Sequence, residues 1–204
     1  MYLFSTPRII KKLLGKNLVW EMNKEGKTIY LTFDDGPEPE VTPWVLETLR
    51  KYNAKATFFC LGKNAENHPA IVETIIRSGH TVGNHTYCHL KGWKTDTSLY
   101  IADIEKCDSI LKTPFFRPPY GKIKPSQLRL LKGKYKVIMW TLLTCDFDAS
   151  LDKDKCLDVV LKKTKSGSII IFHDSLKARE KLQYVLPRLL EHFSKEGYDF
   201  LPLS

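Results

Sequence analysis

Four short stretches of the 204-residue chain concentrate side chains that coordinate cations or move protons. His85 and His89, in HTYCH, are four residues apart, a spacing that places two imidazoles on one face of a helical turn within reach of one metal ion. A carboxylate would complete a facial set of three ligands. TFDDGP at 32–37 offers Asp34 and Asp35, whose side chains leave an extended backbone in different directions, so one can bind metal while the other faces a substrate. RPPYG at 117–121 supplies a permanent cation, Arg117, and then a turn that two prolines stiffen and Gly121 allows to approach closely. GSIIIFHDS at 167–175 is an apolar strand running into His173 and Asp174; a histidine there is either a hydrogen-bonded structural group or an acid-base catalyst. Each motif alone also fits a plainer reading: paired surface or core histidines, a solvated Asp-Gly turn, a rigid loop.

Residues so far apart need a scaffold that gathers them. From Lys27 onward the apolar pattern switches between strand-like and helix-like periods, the signature of β and α units around a parallel sheet. Strands are expected at 27–33, 56–61, 81–84, 114–117, 136–141, 168–172 and 198–202. Helices are expected at 42–52, 69–78, 96–112, 124–132, 152–164 and 181–195, with Pro187 kinking the last. Asp34 and Asp35 then follow the first strand, His85 and His89 the third, Arg117 ends the fourth, Asp146 follows the fifth and His173 ends the sixth. In parallel α/β folds those carboxyl ends form one rim, where distant residues share a site. An eight-unit barrel usually takes roughly 250 residues, so this shorter chain implies an α/β fold built as a distorted (β/α) barrel of about seven units.

Composition narrows the partners. Hydrophobic residues at 43% and charged residues at 27% exclude a disordered chain and a membrane bundle. Lys plus Arg total 32 against 23 Asp plus Glu, and the net charge of +9 favours anionic partners; no nucleic-acid motif accompanies it, so nucleic acid is not an expected partner. Cysteines 60, 88, 107, 145 and 156 form no CxxC pair, and their odd number suits reduced thiols. The start, MYLFSTPRIIKKLLGKNLVW, lacks the order of a signal peptide, so a cytoplasmic location, or one peripheral to the inner membrane surface, is expected. Residues 7–14 outline a basic amphipathic helix that either packs on the domain or rests on an anionic membrane. The division that follows is a segment 1–26 on or beside the barrel, and the barrel itself from 27 to 204.

In this order, TFDDGP, HTYCH, RPPYG, Asp146 and the strand-borne His173 resemble the polysaccharide deacetylases of the NodB-homology type, carbohydrate esterase family 4, over about residues 27–202. The resemblance implies a distorted (β/α) barrel, in agreement with the strand count. It implies Asp35, His85 and His89 as metal ligands, usually for Zn2+ with Co2+ or Ni2+ as substitutes, and Asp34 as the general base. Arg117 would orient that base, His173 would be the general acid held by Asp146, and the backbone N–H of Tyr120 would stabilise the oxyanion. The implied reaction is metal-assisted hydrolysis of N-acetyl groups on N-acetylglucosamine-containing glycans: peptidoglycan, chitin-like chains or their oligomers. The alternatives are deacylation or deformylation of a lipid-linked amino sugar at the inner membrane surface, acetylxylan esterase activity, and sugar binding without catalysis. The chain departs from the family in WTLLTCDF at 140–147, with Leu143 where many members carry aspartate and Phe147 where they carry tryptophan, which bears on the substrate pocket. Cys88 and Cys145 adjoin site residues and read as buried, inert thiols. Trp93, in HLKGWKT between Lys91 and Lys94, either offers its indole to a pyranose ring, with the lysines meeting an anionic glycan, or anchors its own loop.

Overall fold

Alternation along the strands decides which side chains reach the inside of the sheet and which pack under helices. The computed structural model describes residues 18–23 and 25–204. It runs β1 (Leu18–Val19), β2 (Thr28–Asp34), α1 (Thr42–Lys51), β3 (Ala56–Cys60), α2 (Gly62–Asn67), α3 (Pro69–Arg77) and β4 (Thr81–Asn84). Then come α4 (Thr97–Leu111), β5 (Phe115–Phe116), α5 (Pro125–Leu131), β6 (Lys136–Ile138) and β7 (Leu142–Leu143). The chain finishes with α6 (Lys153–Lys163), β8 (Ile169–His173), α7 (Arg179–Lys195) and β9 (Asp199–Phe200). Each strand and helix expected from Lys27 onward has a counterpart, and Pro187 lies inside α7 without ending it. The sheet order is β1-β6-β5-β4-β3-β2-β8-β7 with β9 added beside β2, and all pairs are parallel. This is a curled α/β half-barrel with helices on its outer face.

In β2, Ile29, Leu31 and Phe33 turn outward to the helices, and Phe33 stacks between Phe58 and Phe172 at centroid distances of 4.9 and 5.9 Å. Thr32 and Asp34 take the opposite, inner face.

The expected strand 136–141 is split. β6 lies near one edge of the sheet and β7 forms the other, so residues 139–141 cross between them. Met139 N–H donates to Val19 O at 2.7 Å, Thr141 N–H to Ile169 O at 3.0 Å, and Met22 N–H to Gly167 O at 2.9 Å. Residues 18–22 therefore line this seam, and the sheet begins ahead of the boundary expected at position 27. The helix expected at 7–14 lies outside the described residues. All five cysteines are free; Cys88, expected to be buried, is exposed on the loop that follows β4, whereas the other four are enclosed. Among the described residues no helix is long and apolar enough to cross a membrane.

Candidate active site

Strand register sets the first pair of groups. Asp34 ends β2 directly beside His173, which ends β8, so parallel pairing puts both side chains on the inner face at the barrel mouth. Asp34 is buried and its Oδ1 accepts a hydrogen bond from Arg117 Nη1 at 2.7 Å. Nη1 also donates to Thr32 Oγ1 at 2.7 Å, while Nε and Nη2 donate to the carbonyls of Ile138 at 3.3 Å and Met139 at 3.1 Å. The guanidinium, wholly buried, sits 4.1 Å from the Phe59 ring centroid. Burial works against its charge and Asp34 offsets that, the reciprocal dependence of an enclosed ion pair. The second carboxylate oxygen, Asp34 Oδ2, faces His85 Nε2 at 3.9 Å.

His85 and His89 are not on a helical turn, contrary to expectation. Thr86 and His89 adopt positive φ of 67° and 58°, and this left-handed backbone folds the segment into a tight loop. Asp103 on α4 anchors it by accepting the N–H groups of Tyr87 and Cys88 at 2.9 and 3.0 Å, and Asn84 Oδ1 accepts that of Thr86 at 2.8 Å. The loop still brings the two rings together, with centroids 5.2 Å apart. Asp35 joins them from just past β2, and ligand atoms of Asp35, His85 and His89 all lie within 4.8 Å of one another.

The chemistry of this cluster fits a cation. His85 Nδ1 donates to Arg117 O at 2.8 Å, which leaves Nε2 as the lone-pair donor, and burial lowers the pKa of the ring in favour of its neutral form. Asp35 Oδ1 is buried, faces Nε2 of His89 at 3.2 Å and of His85 at 3.7 Å, yet makes no well-aligned hydrogen bond. Burial raises the Asp35 carboxyl, but the contact with His89 and the electrostatic pull of the surrounding imidazoles outweigh it and hold the group well below the usual carboxylate range. Two imidazoles and an orphaned carboxylate oxygen aimed at one point make a divalent-cation donor set, and it is the one such cluster among the described residues.

On the other side, Asp146 grips His173 twice. Its Oδ2 accepts the His173 backbone N–H at 2.9 Å and its Oδ1 accepts Nδ1–H at 2.7 Å, with Asp146 fully buried. Burial by itself would lower the imidazole pKa; the Asp146 charge and hydrogen bond, with Asp35 and Asp34 farther off, instead raise it to about 9. The ring therefore carries a proton on Nε2 at neutral pH.

Asp34, Asp35, His85, His89 and His173 line a cleft of about 320 Å³ whose walls include Tyr120, Trp140, Leu143, Phe147 and Ile171, while Arg117 and Asp146 are buried behind it. The Tyr120 ring packs on His89 at 4.7 Å, and the Phe147 ring meets His173 edge-on at 4.9 Å. Gly121 has φ of 64°, and a Cβ there would fall 2.4 Å from Trp140, so the turn after Tyr120 requires glycine. The structure thus gathers Asp34, Asp35, His85, His89, Arg117, Tyr120, Asp146 and His173 in one place. Cys88 and Cys145 do not line the cleft. Trp93 does not line it either: its indole N–H donates to Ile123 O at 3.1 Å, which ties one edge to a neighbouring loop, while the side chain is 60% exposed.

The four motifs leave one contributor without a role. Asp174 accepts the Gly36 N–H at 3.1 Å and the Thr42 hydroxyl at 2.6 Å, and Thr42 in turn accepts the Glu38 N–H at 2.8 Å. Burial pushes the Asp174 carboxyl up to about 8. A Cβ on Gly36 would lie 2.1 Å from the Asp174 carboxylate, so only glycine lets the two segments meet. Asn64 on α2 adds a hydrogen bond from Nδ2 to Asp35 O at 2.8 Å. Together these bonds clamp the loop that carries Asp35. Its mark in the sequence is an acid immediately after an apolar strand, beside His173.

Fold and site together define a NodB-type (β/α) barrel with its reactive groups on the carboxyl rim. The chain belongs to the polysaccharide deacetylase family, which it matches over residues 21–134, more than half its length. It is 34% identical over 194 residues to a peptidoglycan-N-acetylglucosamine deacetylase of Bacillus cereus, covering 92% of this chain and 91% of that one. A solved peptidoglycan N-acetylglucosamine deacetylase in complex with 4-naphthalen-1-yl-N-oxidanyl-benzamide superposes with a TM-score of 0.88 at 32% identity, covering 97% of this chain and 95% of the other. Other relatives of the same description are longer: the chain spans 56% of a second Bacillus cereus protein and 39% of one from Listeria monocytogenes. The fold is also that of a carbohydrate esterase family 4 pseudoenzyme from Bacillus anthracis, with a TM-score of 0.81 at 22% identity over 91% of this chain and 67% of that one. The fold alone therefore does not establish turnover; the side chains of the site must carry that argument.

Proposed function

We propose that the protein hydrolyses N-acetyl groups on N-acetylglucosamine units of a glycan such as peptidoglycan, releasing acetate. The observation that carries this reading is the placement of two proton-transfer groups, Asp34 bound to Arg117 and His173 bound to Asp146, around one cation donor cluster. The relatives described above support the choice of substrate class. Asp35, His85 and His89 would hold a divalent cation, zinc being the choice for imidazole and carboxylate donors, and it would supply Lewis acidity at the amide carbonyl and a water of lowered pKa.

The protein's own groups do the rest. Asp34 takes a proton from the attacking water through Oδ2, the oxygen that Arg117 does not occupy. Arg117 is a positioning residue that holds this carboxylate in one rotamer and neutralises its burial. His173 passes its Nε2 proton to the amide nitrogen as the C–N bond breaks, because an amine anion is too poor a leaving group. The water oxygen ends in acetate and the sugar keeps a free amine. The Tyr120 N–H is assigned to the developing oxyanion, where the loss of one donor typically costs ~3 kcal/mol in barrier height. Leu143, Phe147 and Ile171 offer the acetyl methyl an apolar wall.

Acetate release from an N-acetylglucosamine oligomer and from peptidoglycan, before and after chelation, tests the reading. Activity should vanish on chelation and return with zinc; undiminished release from chelated protein, or none from either glycan with metal present, would overturn it. A pH profile tests the acid separately. His173 works in its protonated form, so kcat/KM should fall as pH rises through a pKa at or below about 9, since a bound cation offsets part of the Asp35 charge. Asp146→Asn should draw that basic limb down by roughly one unit or more. An unmoved limb would take His173 out of the acid role.

A further inference from the structure

Two ammonium groups, one lining the cleft and one beside a ring of its wall, have no task in the reaction just described. Lys177 lines the cleft, its Nζ 5.6 Å from the centroid of Phe147, the ring that meets His173. Lys91 holds its Nζ 4.8 Å from the centroid of Tyr120, the ring that packs on His89. The two lysines therefore mark separate stretches of the rim, one by the acid and one by the cation donors. The pairing recurs beyond the cleft, where Lys122 Nζ sits 5.3 Å from the exposed Trp93 ring. Among the described residues, none of these three lysines has a carboxylate partner, whereas Asp34 and Asp35 are already engaged by Arg117 and the imidazoles. A lysine stem lying on an aromatic ring samples fewer rotamers, so its ammonium loses less freedom on meeting an anion. The net charge of +9 acts in the same direction.

We infer that Lys91 and Lys177 read carboxylates on the sugars flanking the one that loses its acetyl group. The favoured substrate is then an acidic glycan, with carboxylate-bearing sugars alternating with N-acetylglucosamine, rather than a neutral homopolymer. This rests on the deacetylase reading and sharpens it. A chain reaching past the cleft by Phe147 or by Tyr120 meets an ammonium in either direction; a lactyl ether carboxylate gives that ammonium a partner, and a chitin-like chain offers it only hydroxyls and acetamides.

The test is equilibrium binding of two oligomers of equal length to the zinc-loaded protein by calorimetry, with acetate release followed in parallel. One oligomer is N-acetylglucosamine throughout; the other alternates N-acetylglucosamine with N-acetylmuramic acid. Wild type should bind the acidic chain more tightly, and Lys177→Met and Lys91→Met should each lower the ratio of the two affinities by about fivefold, the effect of one solvent-screened ion pair. The preference should shrink at high salt and disappear when the carboxylates are converted to methyl amides. A ratio equal in wild type and both variants, or no preference in wild type, overturns the inference. Absent acetate release from both oligomers would overturn the deacetylase reading instead, and the binding ratio would still judge the lysines.

Discussion

Asparagine in place of Asp34 is expected to reduce turnover by roughly 10²–10⁴-fold, the effect of removing a general base. The substitution preserves shape and leaves Asp35, His85 and His89 in place, so metal content should stay close to that of wild type. It is not a silent change for the fold. Arg117 is wholly buried and Asp34 is its counter-charge, so breaking the pair should cost about 3–5 kcal/mol. Kinetics must therefore be measured well below the lowered Tm, with metal content determined on the same sample. The double variant Asp34→Asn/Arg117→Met separates the two effects: without the enclosed charge it should regain part of the lost stability and none of the activity. Near-normal turnover in folded Asp34→Asn would refute the base.

The second large effect concerns the donor cluster, and the two histidines should behave differently. His89→Ala is expected to abolish zinc retention after dialysis while leaving Tm little changed, because that side chain is 26% exposed. His85→Ala should lose zinc as well and also destabilise the fold, since its side chain is only 3% exposed and its Nδ1–H satisfies the Arg117 carbonyl. An enclosed carbonyl left without a donor costs about 1–3 kcal/mol in addition to the cavity. Elemental analysis beside thermal melts reads both quantities, and full zinc content in dialysed His89→Ala would remove that residue from the ligand set.

Much of the site was legible in the chain because strand alternation and strand ends are local properties. Asp34, Arg117 and His173 sit where the apolar pattern stops, and a parallel sheet turns such positions into neighbours. What stayed hidden depended on partners remote in sequence. HTYCH reads as a helical turn because a four-residue spacing serves helices and tight loops alike; its left-handed backbone depends on Asp103, which lies on the following helix. Asp174 acts on Gly36 across 138 residues, and no local pattern records that contact. β1 and β7 are two residues long, too short for a period to show. α2 buries only Gly62 and Ala65, so its stripe is too narrow to read. The fold class survived these omissions because the longer strands β2, β3, β4 and β8 form the contiguous centre of the sheet.

The crossing at residues 139–141 joins catalytic competence to global folding. The carbonyls of Ile138 and Met139, which receive Arg117, lie beside β5 where the chain leaves one edge of the sheet for the other, and from them the guanidinium reaches across the barrel to Thr32 and Asp34 of β2. Pairing of β2 with β8 joins residues 139 apart in sequence, Asp34 with His173 among them, a non-local topology of the kind that slows folding. Enzyme and barrel thus mature as a single cooperative unit, and a half-assembled chain has no half-formed base. A cut or insertion at 139–141 would disturb at once the edge of the sheet and the carbonyls that hold Arg117 against the proton acceptor.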